Sequence, residues 1–190
     1  ECERNGVEPP KWIKTLVYVS VIWAFSIHTV TAFLYAGLPG RHYWLTAILA
    51  ARFLASAFCS GPAILLLMAL ILRRLTGFDP GRQAIKTLSV IITYAMAINV
   101  FFFLLEVFTA FYSQIPGHTH AFTYLFSGHD GHGAWINTWM WVAVFLALFC
   151  LALLIPPSLR NNEKVLPFAP VMLVMARWKD KGLALLHLGR

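Results

Sequence analysis

Four stretches of this chain, 15–40, 53–72, 87–105 and 131–159, contain no Asp, Glu, Lys or Arg. Each is near or above the roughly 18–20 apolar residues needed to cross the hydrocarbon core of a bilayer. Backbone N–H and C=O groups find no water there, so such runs satisfy them internally as α-helices. The charged fraction is 12%, about half that of a soluble domain, which excludes a soluble globular enzyme. The net charge of +7 does not imply nucleic acid, because the basic residues gather at the ends of the apolar runs rather than on one soluble face. The fold class read from these facts is all-α: a polytopic transmembrane helix bundle in a single membrane domain, 1–190, with lipid as its solvent.

Spans are expected at about 14–36, 44–72, 85–112 and 134–155. Gly37-Leu38-Pro39-Gly40 ends the first, Arg73-Arg74 closes the second and Pro156-Pro157 the fourth. These are residues that break helices or stop at headgroups. The second stretch, at ~1.5 Å per residue, is about 43 Å long, so it tilts or begins in the headgroup layer. A fifth apolar piece, 165–178, is short and holds Pro167 and Pro170, which predicts a broken or partial crossing.

Short cytoplasmic loops retain Lys and Arg. Nine of them (Arg4, Lys11, Lys14, Arg73, Arg74, Arg82, Lys86, Arg160 and Lys164) fall on one side of the expected spans, and the opposite loops hold only Arg41. Residues 1–13, 73–86 and 156–164 are therefore expected in the cytoplasm and loops 37–43 and 113–133 outside. Arg177, Lys179 and Lys181 oppose this if the fifth piece spans. Cys59 and Cys150 lie in apolar runs, where a free thiol packs as a small hydrophobe. With Cys2 they make no metal or disulfide pattern. The chain begins at Glu1 without a signal-peptide pattern, which predicts a piece of a longer protein.

Ionisable groups inside a membrane are costly and call for a partner or a role. His28, Arg52 and Glu106 lie in three separate spans, each about six to eight residues from its expected outer end, hence about 9–12 Å below the outer surface at ~1.5 Å per residue. Each heads a polar stripe: His28 with Thr31 and Tyr35; Arg52 with Ser56, Cys59 and Ser60; Glu106 with Asn99, Thr109 and Ser113. Such stripes turn away from lipid. With Gly61-Pro62 freeing the Phe58 carbonyl, they predict a kinked, polar-lined pocket open toward the outer leaflet. The competing expectation is a structural Arg52–Glu106 pair with a satisfied core histidine. Ser56-xxx-Ser60 and Ala51-xxx-Ala55 read as helix packing. The outer loop holds His118, His120, His129 and His132; their loose spacing disfavours a metal site and suits a solvated, proton-exchanging loop. Trp135, Trp139 and Trp141 fit an interfacial aromatic belt.

The stretch Ser26-Ile27-His28-Thr29-Val30-Thr31-Ala32-Phe33 with Arg52-Phe53-Leu54-Ala55-Ser56-Ala57-Phe58-Cys59-Ser60-Gly61-Pro62-Ala63 resembles the NrfD / polysulfide reductase membrane-subunit family, nearest the QrcD, HmcC and DsrP kind. The resemblance covers essentially the whole chain and implies a fragment of an eight-to-ten-helix subunit. It further implies a subunit of the cytoplasmic (inner) membrane of a bacterium or archaeon, without haem or metal, that binds menaquinone near the periplasmic face. Electrons would pass between the quinone and a partner iron–sulfur protein, in complexes that also hold multihaem cytochrome c or molybdopterin subunits. His28 matches the family histidine at the quinone pocket. Leu34 stands where some relatives carry an acid, which shifts weight to Glu106. His28, Arg52 and Glu106 are then the expected proton- and charge-handling residues, with Tyr35, Ser56 and Ser60 as pocket wall. The alternative classes are a b-cytochrome anchor, which needs facing axial histidines, and an ion or proton transporter, which would use the Arg52/Glu106 pair as its site.

Overall fold

The computed structural model describes residues 10–38, 44, 46–77, 79–128, 134–160 and 166–176, with backbone alone for 134–136. The described residues form helices α1 (Lys11–Ala36), α2 (Ile48–Thr76), α3 (Arg82–Tyr112), α4 (Pro116–Ser127), α5 (Ala134–Leu154) and α6 (Pro157–Arg160). A further helix, α7, covers 168–176. Four of these, α1, α2, α3 and most of α5, are long and apolar enough to cross a membrane. The protein is an all-α, integral membrane bundle with a short fifth piece, and no strand occurs among the described residues.

Helix α1 has side chains suited to lipid on almost every side. Trp12, Leu16, Tyr18, Ile22, Trp23, Phe33 and Leu34 are all more than half exposed, and only Ala32 is buried. Its polar groups need no neighbour: Ser20, Ser26, Thr29 and Thr31 donate their hydroxyls to carbonyls three or four residues back. That local bond removes the main cost of a hydroxyl in hydrocarbon. One edge of α1 packs on α2, through Phe25 against Phe58 and Tyr35 against Phe53.

Helices α2 and α3 form the centre. The buried edge of α2 runs Leu49, Arg52, Ala55, Ser56, Cys59, Ala63 and Leu66; that of α3 includes Ile85, Ser89, Ile92, Ala95, Met96, Asn99, Glu106 and Ala110. Small side chains at Ala55, Ser56, Cys59, Ala63, Ser89 and Ala95 let the backbones approach, which drives helix association where hydrophobic burial cannot. The Cys59 thiol lies 3.5 Å from the Met96 sulfur. Helix α2 runs unbroken through Pro62. It begins at Ile48 rather than near Trp44 and continues past Arg73-Arg74 to Thr76. It ends at Gly77, whose φ of 70° is left-handed with nothing within 4 Å of the place a Cβ would take. Gly77→Ala is therefore expected to cost about 1–2 kcal/mol through backbone strain alone, read as a lower melting temperature with unchanged helix content.

Two apolar clusters stack along the bundle. The inner one joins Cys59, Leu66, Ile85, Ile92, Met96, Cys150 and Leu154 to Leu166, Ala169 and Leu173. Helix α7 thus folds back along α5 after α6, and the Cys150 thiol donates to the Ala169 carbonyl at 3.4 Å. Residues 177–190, with Arg177, Lys179 and Lys181, lie outside the described residues. The outer cluster joins Ala32, Trp44, Leu49, Ala110, Ala121, Phe122, Leu125 and Met140.

That outer cluster corrects one expectation. The segment 113–133, read from its glycines and histidines as a solvated loop, contains the 12-residue helix α4. Pro116 starts it at a position where a missing N–H costs nothing, and Ala121, Phe122 and Leu125 form a buried stripe. Its apolar stripe is too short to signal a span, yet it is enough to seat the helix on the bundle.

Candidate functional site: a buried ion pair beneath a surface helix

Arg52 and Glu106 meet between α2 and α3. An Arg52 guanidinium N–H donates to Glu106 Oε2 in a salt bridge, with both side chains at least nine-tenths buried. The guanidinium also lies 5.6 Å from the centre of the Phe103 ring, a cation–π contact that strengthens when water is excluded. Phe103 in turn touches Phe126 of α4, which stacks on Phe122 and meets Trp141 edge-on at 5.4 Å. Trp141 holds that roof by donating its indole N–H to the Phe126 carbonyl at 3.0 Å. The two charges thus sit between the apolar clusters, covered by α4 on the side away from the α2–α3 turn.

Below the pair, α3 carries Asn99, 1% exposed, two turns from Glu106 on the same face. Asn99 and Phe103 line a cavity of about 60 Å³ with Ala143 and Ala147 of α5 and Ala176 of α7. That is room for a few waters, and well short of the ~150 Å³ of a cavity that takes a benzene ring. A second space, about 500 Å³ and open to the side, runs between α2 and α3 along Ala51, Ala55, Phe58, Ile91, Ile98 and Phe102. The atoms exposed along it are apolar, the ring of Tyr94 among them. The single polar-lined pocket expected from the sequence is therefore divided: a covered polar pair with a water-sized cavity, and a separate apolar groove.

His28 sits on the edge of α1 that faces α2. The contacts of Phe25 and Tyr35 place it level with the α2 turn between Phe53 and Phe58, which includes Ser56. It is half-buried, and Nδ1 makes a 2.8 Å hydrogen bond with the Ala24 carbonyl one turn earlier. With that N–H donated, the neutral ring offers Nε2 as an acceptor. Tyr35 packs edge-on against Trp44 at 5.0 Å and against Phe53, on the α1 side of α2 rather than beside Glu106. Ser56 is buried at the α2–α3 contact, and Ser60 donates to the Ser56 carbonyl. The structure therefore joins Arg52 to Glu106, with Ser56 on the same buried edge, while His28 and Tyr35 lie across α2 from them.

The stripe expected to accompany Glu106 divides in the same way. Thr109 is exposed and donates to its own helix at the Leu105 carbonyl; Asn99 alone of the three is buried with Glu106. Tyr94, 69% exposed, lines the apolar groove and not the face of Asn99. Phe103 and Phe126 escape sequence reasoning because they carry no polar signal. Their Phe-rich neighbourhood, 101–103 and 122–126, is the one hint of them. Among the described residues no group of three His, Cys, Asp or Glu could hold a metal ion. His118 is half-buried and His120 exposed, while His129 and His132 lie outside the described residues.

These features define a polytopic helical membrane protein with a compensated charge pair in its interior. The family described as "Polysulphide reductase, NrfD" matches residues 6–179, and the chain belongs to that family. It is also similar to a Halobacterium salinarum protein named as a putative dimethyl sulfoxide reductase membrane subunit, with 27% identity over 168 residues covering 85% of this chain. The chain spans 37% of that relative's length.

Proposed function

We propose that this chain is part of the membrane subunit of a respiratory oxidoreductase complex and exchanges electrons between menaquinone or menaquinol and a partner iron–sulfur subunit. The observation that carries the reading is the Arg52–Glu106 pair, two charges held in an apolar bundle. A buried ion pair is weak as a stabilising device, since its desolvation cost rivals its attraction. Its place inside a membrane therefore suggests a role. Membership of the NrfD family and the name of the Halobacterium relative support an oxidoreductase.

Quinone reduction adds two electrons and two protons at the carbonyl oxygens, so the site must supply donors and a proton route. Arg52 would stabilise anionic charge on the reduced ring, and Glu106 would hold Arg52 or relay a proton. His28, across α2 from that pair and with Nε2 available beyond its bond to Ala24, would pass protons on the α1 side of the bundle rather than touch the ring that Arg52 meets. The apolar groove begins at Ala51 and Phe102, the sequence neighbours of Arg52 and Phe103, and its lining suits hydrocarbon. Protons would exchange through the outer side. Further multihaem cytochrome or molybdopterin subunits would complete the complex.

Orientation is part of the proposal. Among the described residues, every Lys and Arg except Arg52 falls at one end of the bundle, at the start of α1, the α2–α3 turn or α6. Retention of basic residues by the cytoplasmic side supports a reading in which that end faces inward and the ion pair lies in the periplasmic half.

His28→Ala in the intact complex is expected to lower quinol-dependent turnover by about 10²–10⁴-fold, the range for loss of a positioned acid–base group, with assembly and melting temperature unchanged. Wild-type turnover and wild-type affinity for a quinol analogue in this variant would remove His28 from the site. A purely structural lock between α2 and α3 is the competing reading, favoured by the direct engagement of Arg52 with both Glu106 and Phe103. The paired substitution R52Q/E106Q separates the two.

A further inference from the structure

The turn joining α2 to α3 brings together groups that the electron-transfer reading does not use. Arg73 and Arg74 stand in the last turn of α2, Arg82 opens α3, and Lys86 follows one turn later. Among the described residues Asp79 is the one acid at this turn; its side chain is two-thirds exposed and lies 3.9 Å from that of Arg73. Arg73 and Arg74 are favoured by the negative end of α2. Arg82 and Lys86 have the opposite setting: they sit at the positive end of α3, whose first turn contains no acid. Arg160 of α6 adds another positive charge at the same end, where Leu154 and Ile85 share one cluster.

The apolar residues of the turn identify the occupant. Leu75, directly after Arg74, is 78% exposed, and Ile71 and Leu72 are more than 40% exposed. Leu75 is within one ~5.4 Å helical turn of both arginines. Whatever covers this surface must present hydrocarbon and negative charge within that short distance, at the level where the exposed apolar flank of α2 ends.

We infer that the α2–α3 turn is a docking surface for the phosphodiester headgroups of anionic phospholipid. Leu72 and Leu75 meet the upper acyl chains, and Arg74, Arg82 and Lys86 meet the phosphates of the same leaflet. The inference holds whichever face of the membrane this end occupies, and it does not depend on the quinone reading.

The test uses the whole protein in its native complex, reconstituted in phosphatidylcholine nanodiscs with spin-labelled phosphatidylglycerol or spin-labelled phosphatidylcholine as probe. The motionally restricted fraction gives the association of each lipid. Phosphatidylglycerol is expected to be preferred, by about fivefold for each basic residue engaged at low ionic strength, with the preference shrinking as salt is added. The triple variant R74Q/R82Q/K86Q is expected to bring the two lipids close to parity, and R74K/R82K to retain the preference. The melting temperature and subunit content of the purified complex in detergent serve as the control for folding and assembly. Equal association of both lipids with the wild type, or a preference unchanged in the triple variant, would overturn the inference. So would displacement of the labelled lipid by inorganic phosphate alone, which would mark a free-anion site. A preference that appears only after a subunit has been stripped from the complex would overturn it too, and would assign the surface to that subunit instead.

Discussion

Substituting either member of the buried ion pair, Arg52→Gln or Glu106→Gln, is expected to destabilise the bundle by about 3–5 kcal/mol, because each leaves the other charge buried without its partner. Both side chains are at least nine-tenths buried, so water cannot screen the remaining charge. The double variant R52Q/E106Q replaces the pair with two neutral groups that can bond to each other. It should recover most of the lost stability, since removing both partners is often neutral. Melting of the purified complex in detergent measures this, and a double variant as unstable as the sum of the singles would show that the charges do not compensate one another. Turnover then separates the two readings of the pair. If it handles charge for a bound quinone, the restored double variant remains at least ~10²-fold slow, the order seen when a charge-stabilising group is lost. If the pair is only a lock, turnover returns with stability.

Phe122→Ala should produce the second large effect. Phe122 is 2% exposed, stacks on Phe126 and packs against Phe111. Truncating a buried Phe costs about 3–5 kcal/mol. Here the loss should concentrate on α4. That helix is bounded by Gln114, with φ of 50°, and Gly128, with φ of 73°, so its seating depends on side-chain packing rather than on a continuous helix from α3. Hydrogen exchange across 116–127 is expected to accelerate, while exchange in the α2–α3 centre stays slow. Phe122→Leu keeps most of the volume and should cost under about 1.5 kcal/mol. Uniform acceleration through the whole bundle would show that α4 is not a separately seated roof.

The existence and number of the long apolar helices are legible in the amino acids, as are the places of Arg52 and Glu106 along them. Insertion into lipid is decided segment by segment, by the transfer free energy of about 20 consecutive side chains, and depth is a count along one helix. Which groups meet is another matter. Helices α1, α3 and α5 are apolar on nearly all sides, so their sequences carry little information about which face turns toward a neighbour. His28 is at a suitable depth but lies on the α1-facing side of α2, and Thr109 turns outward to bond its own helix. Helix α4 is hidden in the sequence because three buried side chains, Ala121, Phe122 and Leu125, gain their meaning only from the clefts that receive them. Amino-acid order alone thus settles that this chain lives in a membrane and which charges go in with it. That the guanidinium and carboxylate face one another under an aromatic roof emerges only in the packed bundle. Inside a bilayer that choice depends on close packing of small residues and on pairing of polar groups across helices, and both are properties of two surfaces together.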